Sequence, residues 1–173
     1  MPEIIGEAQS LDGFFALLDD HAEARGALDA VDAAAQQVEE TWTTLRDQIR
    51  MLRDHFDEEE AVLLPVLDAL AGSDHLTERL VEDHRELRRE FREFLADGQA
   101  RMSPMRLVAD RLRAHLNWEE SVLLPHLQER LPAESLDALE QRCESFRRVR
   151  RGSKSVIHRA DRDTFRNLHK QFR

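Results

Sequence analysis

The chain has no tyrosine, one cysteine, six glycines and five prolines among 173 residues. Each shortage excludes something. Without tyrosine the protein cannot house a tyrosyl radical. A lone Cys143 cannot close an internal disulfide, so a reducing, cytoplasmic location is expected. Sparse Gly and Pro, with aromatics at 6%, provide little for the turns and pleated surfaces of sheets. No apolar run approaches the ~20 residues of a membrane span, so no transmembrane segment is expected. The first such run, "FFALL", lies between acidic residues and is too short for a secretory signal. A basic footprint is missing too: the formal net charge is −10, which argues against nucleic acid as a partner.

What is present is charge on a helical period. Charged residues make up 35% of the chain, and its length fits a single domain with a full core. All-α is the expected class. From Arg142 to Arg173 there are eleven Arg/Lys against three Asp/Glu, a tail of +8 on a body of −18. Turn chemistry is confined to "AGSD" at 71–74, "DGQARMSP" at 97–104, "LPAES" at 131–135 and "RGSKS" at 151–155. These divide the chain into helical segments near 8–32, 36–70, 74–97, 104–130 and 134–150, with a further amphipathic stretch in the tail. Pro65 and Pro125 lie inside helical patterns and are expected to kink them.

Two phrases, "HFDEEEAVLLP" from His55 and "HLNWEESVLLP" from His115, are near copies. "DHAEARGAL" from Asp20 and "DHRELRREF" from Asp83 correspond as well. The repeated unit is a helical hairpin with a histidine on its first arm and His-x-x-x-Glu on its second. His21, His55, His84 and His115 each continue an apolar stripe: Leu17 and Leu18, Met51 and Leu52, Leu80 and Val81, and Leu112 precede them. Leu28, Val62 with Leu63, Phe91, and Val122 with Leu123 follow. Glu59 and Glu119, one turn after their histidines, share that face.

Their depth is testable, because residues at one level on antiparallel neighbours are equidistant from the turn between them. The midpoint of His55 and His84 falls beside "AGSD", and that of His84 and His115 inside "DGQARMSP". The midpoint of His21 and His55 places a first turn near residues 32–38. All six groups then meet at one level. Two adjacent buried carboxylates are costly unless cations neutralise them, and no lysine or repeated arginine lies on that face. Metal ions would offset the cost; a metal-free polar core network is the alternative. Four imidazoles and two carboxylates exceed one tetrahedral zinc and suit two adjacent cations, with donors compatible with iron or manganese. Glu-x-x-His, the ferritin-like signature, is absent: Leu18, Leu52, Val81 and Leu112 stand three residues before the histidines.

In this pattern the chain resembles the hemerythrin-like, HHE cation-binding family, over roughly residues 8–130. The ordered motif matches His21, His55 with Glu59, His84, and His115 with Glu119, strengthened by "EEAVLLP" and "EESVLLP". The resemblance implies an up-down-up-down four-helix bundle over residues 1–132, followed by a C-terminal helical extension with a basic tail over 133–173. It implies two iron ions, a non-haem di-iron centre with an oxo or hydroxo bridge. His21 and His55 would hold one iron, His84 and His115 the other, and Glu59 and Glu119 would bridge them. Oxygen-carrying members have a further histidine one turn from the third-helix ligand, where this chain has Leu80 and Arg88. Solvent or a neighbouring carboxylate such as Glu58 would complete the second iron. Open positions favour chemistry over carriage: binding of oxygen, peroxide or nitric oxide, with turnover of peroxide in a catalase- or peroxidase-like reaction or processing of nitric oxide. The alternatives are a sensor of oxygen, nitric oxide or iron that signals through the tail, and a store or donor of iron.

Trp118 and the phenylalanines Phe14, Phe15, Phe56, Phe91 and Phe94 are expected to line the core near the site, chiefly as packing residues; the alternative is an apolar collar that admits small neutral gases and excludes bulk water. His75 and His126 read as structural or solvated, His158 and His169 as tail residues, and Cys143 as a passive thiol. In the tail, Ile157, Ala160, Thr164, Leu168 and Phe172 recur at helical spacing. They form either a helix packed back on the acidic body or a docking element for a partner, a subunit or an anionic membrane surface.

Overall fold

The computed structural model describes residues 14–33 and 37–149, and among them every regular element is a helix. Helix α1 spans Phe15–Ala33, α2 Val38–Ala69, α3 Asp74–Asp97 and α4 Met102–Trp118. A π-helical turn, Glu119–Leu123, joins α4 to α5, Leu124–Arg130; residues 133–149 form a further helical stretch, α6. The turns fall where Gly, Pro and Ser cluster. Gly72 and Gly98 adopt φ of 82° and 63°, the left-handed conformation that ends α3 at Gly98 and shapes the α2–α3 turn at Gly72. Helix α1 ends at Ala33 and α2 begins at Val38, the midpoint of His21 and His55.

Helices α1 and α2, α2 and α3, α3 and α4, and α1 and α4 pack against one another. Cross-links fix the directions. Thr77 meets Asp68, His84 meets Glu60 and Arg88 meets Asp57, so α2 and α3 are antiparallel. Asp83 faces His115 while Glu90 faces Arg111, and His21 faces Glu120 while Asp32 faces Arg113, which makes α4 antiparallel to both α3 and α1.

The internal repeat is visible in what each helix buries. On α2 the buried positions include 45, 49, 52, 56, 59 and 63; on α4 and its π turn they include 105, 109, 112, 116, 119 and 123, each sixty residues later. On α1, 17, 21, 24, 28 and 31 correspond to 80, 84, 87, 91 and 94 on α3. The inward stripe is narrower than the sequence implied. Met51, Val81 and Val122 are exposed, while Leu52, Leu80 and Leu123 are buried. For Val122 the cause is the π turn. Its wider winding rotates the following residues, so Leu123 and Leu124 take the inward places that Val62 and Leu63 hold on α2. "EESVLLP" differs from "EEAVLLP" only at Ser121, whose hydroxyl donates to the Asn117 carbonyl at 2.6 Å, a back-bond that loosens the helical ladder there. Pro65, by contrast, is accommodated within α2.

The core consists of two apolar clusters. One joins Leu28, Ile49, Phe91 and Leu112 with their neighbours toward the end of α1, the start of α2 and the α3–α4 turn. The other joins Leu17, Leu63, Leu80, Leu123 and Leu127 toward the α2–α3 turn, and takes in Leu139 and Cys143 of α6. The histidine level lies between them. Ser73 is fully buried and hydrogen-bonds His126 at 2.9 Å, tying the start of α3 to α5 and giving His126 its structural role.

Candidate metal centre

Four histidines and two glutamates converge in the layer between the clusters, and all six are buried. Glu59 directs Oε1 at the Nε2 atoms of His55 and His21, 3.2 and 3.7 Å away, and Oε2 at His84 Nε2, 3.3 Å away. Glu119 mirrors it: Oε1 is 3.2 Å from His115 Nε2 and 3.7 Å from His84 Nε2, and Oε2 is 3.3 Å from His21 Nε2. Each carboxylate therefore spans both histidine pairs. One donor atom from each of His21, His55, Glu59 and Glu119 forms a group with every separation within 4.8 Å; Glu59, His84, His115 and Glu119 form a second. Both groups could hold a cation, and they share the glutamates. All four oxygens of Glu59 and Glu119, with Nε2 of His84 and of His115, are buried without a hydrogen-bond partner among the described residues. Unpartnered carboxylate oxygens in a dry core are costly, so this donor set fits a cation pair.

The outward nitrogens are also engaged. His21 Nδ1 lies 3.1 Å from Glu120, His55 Nδ1 3.1 Å from Asp20, His84 Nδ1 2.9 Å from Glu60 and His115 Nδ1 3.5 Å from Asp83. For His21, His55 and His84 the carboxylate hydrogen-bonded at Nδ1 holds the proton there and leaves Nε2 as an inward donor; Asp83 stands at ion-pair distance from His115 Nδ1, beyond a hydrogen bond. Every one of these carboxylates faces an arginine: Arg25 for Glu120, Arg147 for Asp20, Arg88 for Glu60 and Arg79 for Asp83. Sequence reasoning missed this outer layer. Its signal was the doubled "DH" of residues 20–21 and 83–84, the doubled "EE" of 59–60 and 119–120, and an arginine four residues after His21 and His84. For Arg147 there was none.

The electrostatics show what the site demands. Burial would lower the histidine pKa values, but the carboxylates outweigh it: His55 rises to about 9 beside Glu59 and Asp20, and His21 and His84 rise well above the usual range. Burial likewise raises the glutamates, yet the surrounding histidines hold both Glu59 and Glu119 well below the ordinary carboxylate range. Positive charge is required in this layer, as protons or as cations.

Neither group includes Glu58. It is buried, but Arg147 Nε sits 2.9 and 3.1 Å from its two oxygens. Phe56 stacks on His84 with centroids 4.2 Å apart, and Trp118 lies 6.2 Å from His115. Phe91 stacks behind Phe56, and Phe14 joins the second apolar cluster. Phe94 packs beside Trp42 in the first. Phe15 is 58% exposed and is no part of the collar; one residue past buried Phe14, it is rotated about 100° to the outside of α1. His75 is exposed. His158, His169 and the amphipathic tail lie outside the described residues.

A helical bundle with a buried histidine–carboxylate layer of this kind is a metal-binding protein in its design. The family model of the hemerythrin HHE cation-binding domain matches residues 12–113, more than half of the chain, and the chain belongs to that family. No curated protein and no solved structure matches it. The matched segment holds His21, His55, Glu59 and His84 and ends before His115 and Glu119, which the geometry brings to the same place. Among the described residues no helix is long and apolar enough to cross a membrane.

Proposed function

We propose that this protein is an up-down-up-down four-helix bundle around a non-haem di-iron centre that binds small oxidants, oxygen, peroxide or nitric oxide, and turns over peroxide. The observation that carries the reading is the pair of buried glutamates, each with one oxygen toward either histidine pair and none hydrogen-bonded among the described residues. In it, His21 and His55 would hold one iron and His84 and His115 the other, with Glu59 and Glu119 shared between them. Family membership and the N/O donor set favour iron. Two iron ions there would supply redox chemistry toward small oxidants.

The chain's own residues account for the rest. Position 80, one turn before His84, is a buried leucine, and Arg88, one turn after it, is turned to Glu60 and Asp57, so neither adds a donor. Four protein donors per cation leave positions for an exogenous ligand, which favours chemistry over carriage. Phe56, Phe91 and Trp118 keep bulk water from the His84–His115 side. The division into a bundle, 1–132, and an extension, 133–173, belongs to the same proposal, with Leu139 and Cys143 seating the extension on the bundle core. A cytoplasmic location fits the single, buried thiol.

One contact favours a second reading, a sensor: Arg147 of α6 reaches Asp20, the outer partner of His55, so the extension touches the site. Peroxide consumption by the iron-loaded protein separates the two. Turnover that disappears in Glu59→Ala, together with bound iron, is expected for the enzyme. Stoichiometric ligand binding with no turnover would reject it in favour of the sensor.

A further inference from the structure

The four histidine–carboxylate–arginine chains are not built alike. Arg25 of α1, and Arg79 and Arg88 of α3, lie on helices that themselves carry inward histidines. The fourth arginine comes from elsewhere. Arg147 lies on α6, beyond the segment matched by the family, and its Nη2 is 2.7 Å from Asp20 Oδ2, the same oxygen that faces His55 Nδ1 at 3.1 Å. The guanidinium also donates through Nε to both oxygens of Glu58 and through Nη2 to the Ala16 carbonyl. One planar fork thus fixes two acidic side chains that flank the His21–His55 pair, together with the first turn of α1. The His84–His115 pair receives nothing from α6.

We propose that Arg147 is a positioning residue for the cation held by His21 and His55, so that the C-terminal extension sets one half of the centre and leaves the other independent; this rests on the two-cation reading above. Without the guanidinium, Asp20 loses the partner that aligns it with Nδ1, and His55 loses its fixed tautomer and ring orientation. Glu58, next to Glu59, loses the guanidinium that meets both of its oxygens. Loss of such an outer partner weakens metal holding by roughly 10- to 100-fold. A lysine cannot repair this fully, because one ammonium does not fork across two carboxylates and a carbonyl.

The test is release of iron from the full chain. Wild type and Arg147→Ala are loaded anaerobically with Fe(II), bound metal is counted, and transfer to a chromogenic chelator is timed, with Arg148→Ala, an exposed neighbour on α6, as control. The wild type and the control are expected to hold two equivalents that leave slowly. Arg147→Ala is expected to release one equivalent roughly 10- to 100-fold faster while the second leaves at the wild-type rate. Arg147→Lys, which keeps the charge and the aliphatic stem, is expected to fall between them and serves if the alanine variant does not fold by circular dichroism. Unchanged release in both variants overturns the inference and leaves the two-cation reading standing. Equal acceleration of both equivalents also overturns it, since it marks a general structural role. A wild type that holds fewer than two equivalents removes the two-cation reading and the inference with it.

Discussion

Each inward histidine turns Nδ1 to a carboxylate and Nε2 to the shared glutamates, and that orientation decides the chemistry of the site. Replacing an outer carboxylate without changing its shape, as in Glu60→Gln, should weaken metal binding by roughly 10- to 100-fold while the fold is kept; titration calorimetry with Fe(II) measures it, and unchanged affinity would refute the role. Proton and cation compete for the same layer. In the metal-free protein His55 is raised to about 9 from an unfolded value of ~6.5, so its stabilising charge is complete below pH ~6.5 and is lost as pH rises through 9. That one group is worth roughly 3 kcal/mol, and its loss should lower the Tm of the metal-free protein between pH 7 and about 10. A Tm that is flat or rises over that range in calorimetric scans would contradict the assignment. The six inward residues were legible in the sequence because apolar stripes and matched spacing fix both face and depth. Asp20, Glu60, Asp83 and Glu120 were not, since a carboxylate on a helix edge looks solvated until the neighbouring helix is in place.

Helix by helix, the duplication holds through burial and breaks at one turn. Positions 45 to 63 and 105 to 123 bury the same steps, and the π turn breaks the match only locally, exposing Val122 where Val62 is buried and burying Leu124 where Leu64 is half-buried. The sequence could not show this, because the two heptapeptides differ by a single hydroxyl. Helix ends were easier to read, as Gly98 illustrates. A Cβ there meets nothing within 4 Å, so Gly98→Ala should cost about 1 kcal/mol from the left-handed φ of 63° alone. Gly26, exposed inside α1 and equally unobstructed, should behave oppositely, with Gly26→Ala adding about 0.5–1 kcal/mol. Chemical denaturation of the two variants checks the pair, and effects of the same sign would be inconsistent with these backbone assignments.

Across the described residues, the histidine layer divides the core into two apolar halves, one toward the end of α1, the start of α2 and the α3–α4 turn, the other toward the α2–α3 turn and α6. Cations that bind only the folded chain should raise its stability, so removal of metal by chelation is expected to lower Tm, and reloading to restore it. An unchanged Tm would mean that the layer is satisfied without cations. The sequence disclosed the level of the site because antiparallel neighbours put equidistant residues side by side. It did not disclose where α6 lands, since an amphipathic pattern names a buried face but not the groove that receives it; Leu139, Cys143 and Arg147 are read only from the packing. The most direct measurement is anomalous diffraction at the iron edge from crystals of the loaded protein. Two peaks are expected, one against Nε2 of His21 and His55 and one against Nε2 of His84 and His115, both contacting Glu59 and Glu119. A single peak, or peaks elsewhere in the molecule, would contradict the paired centre.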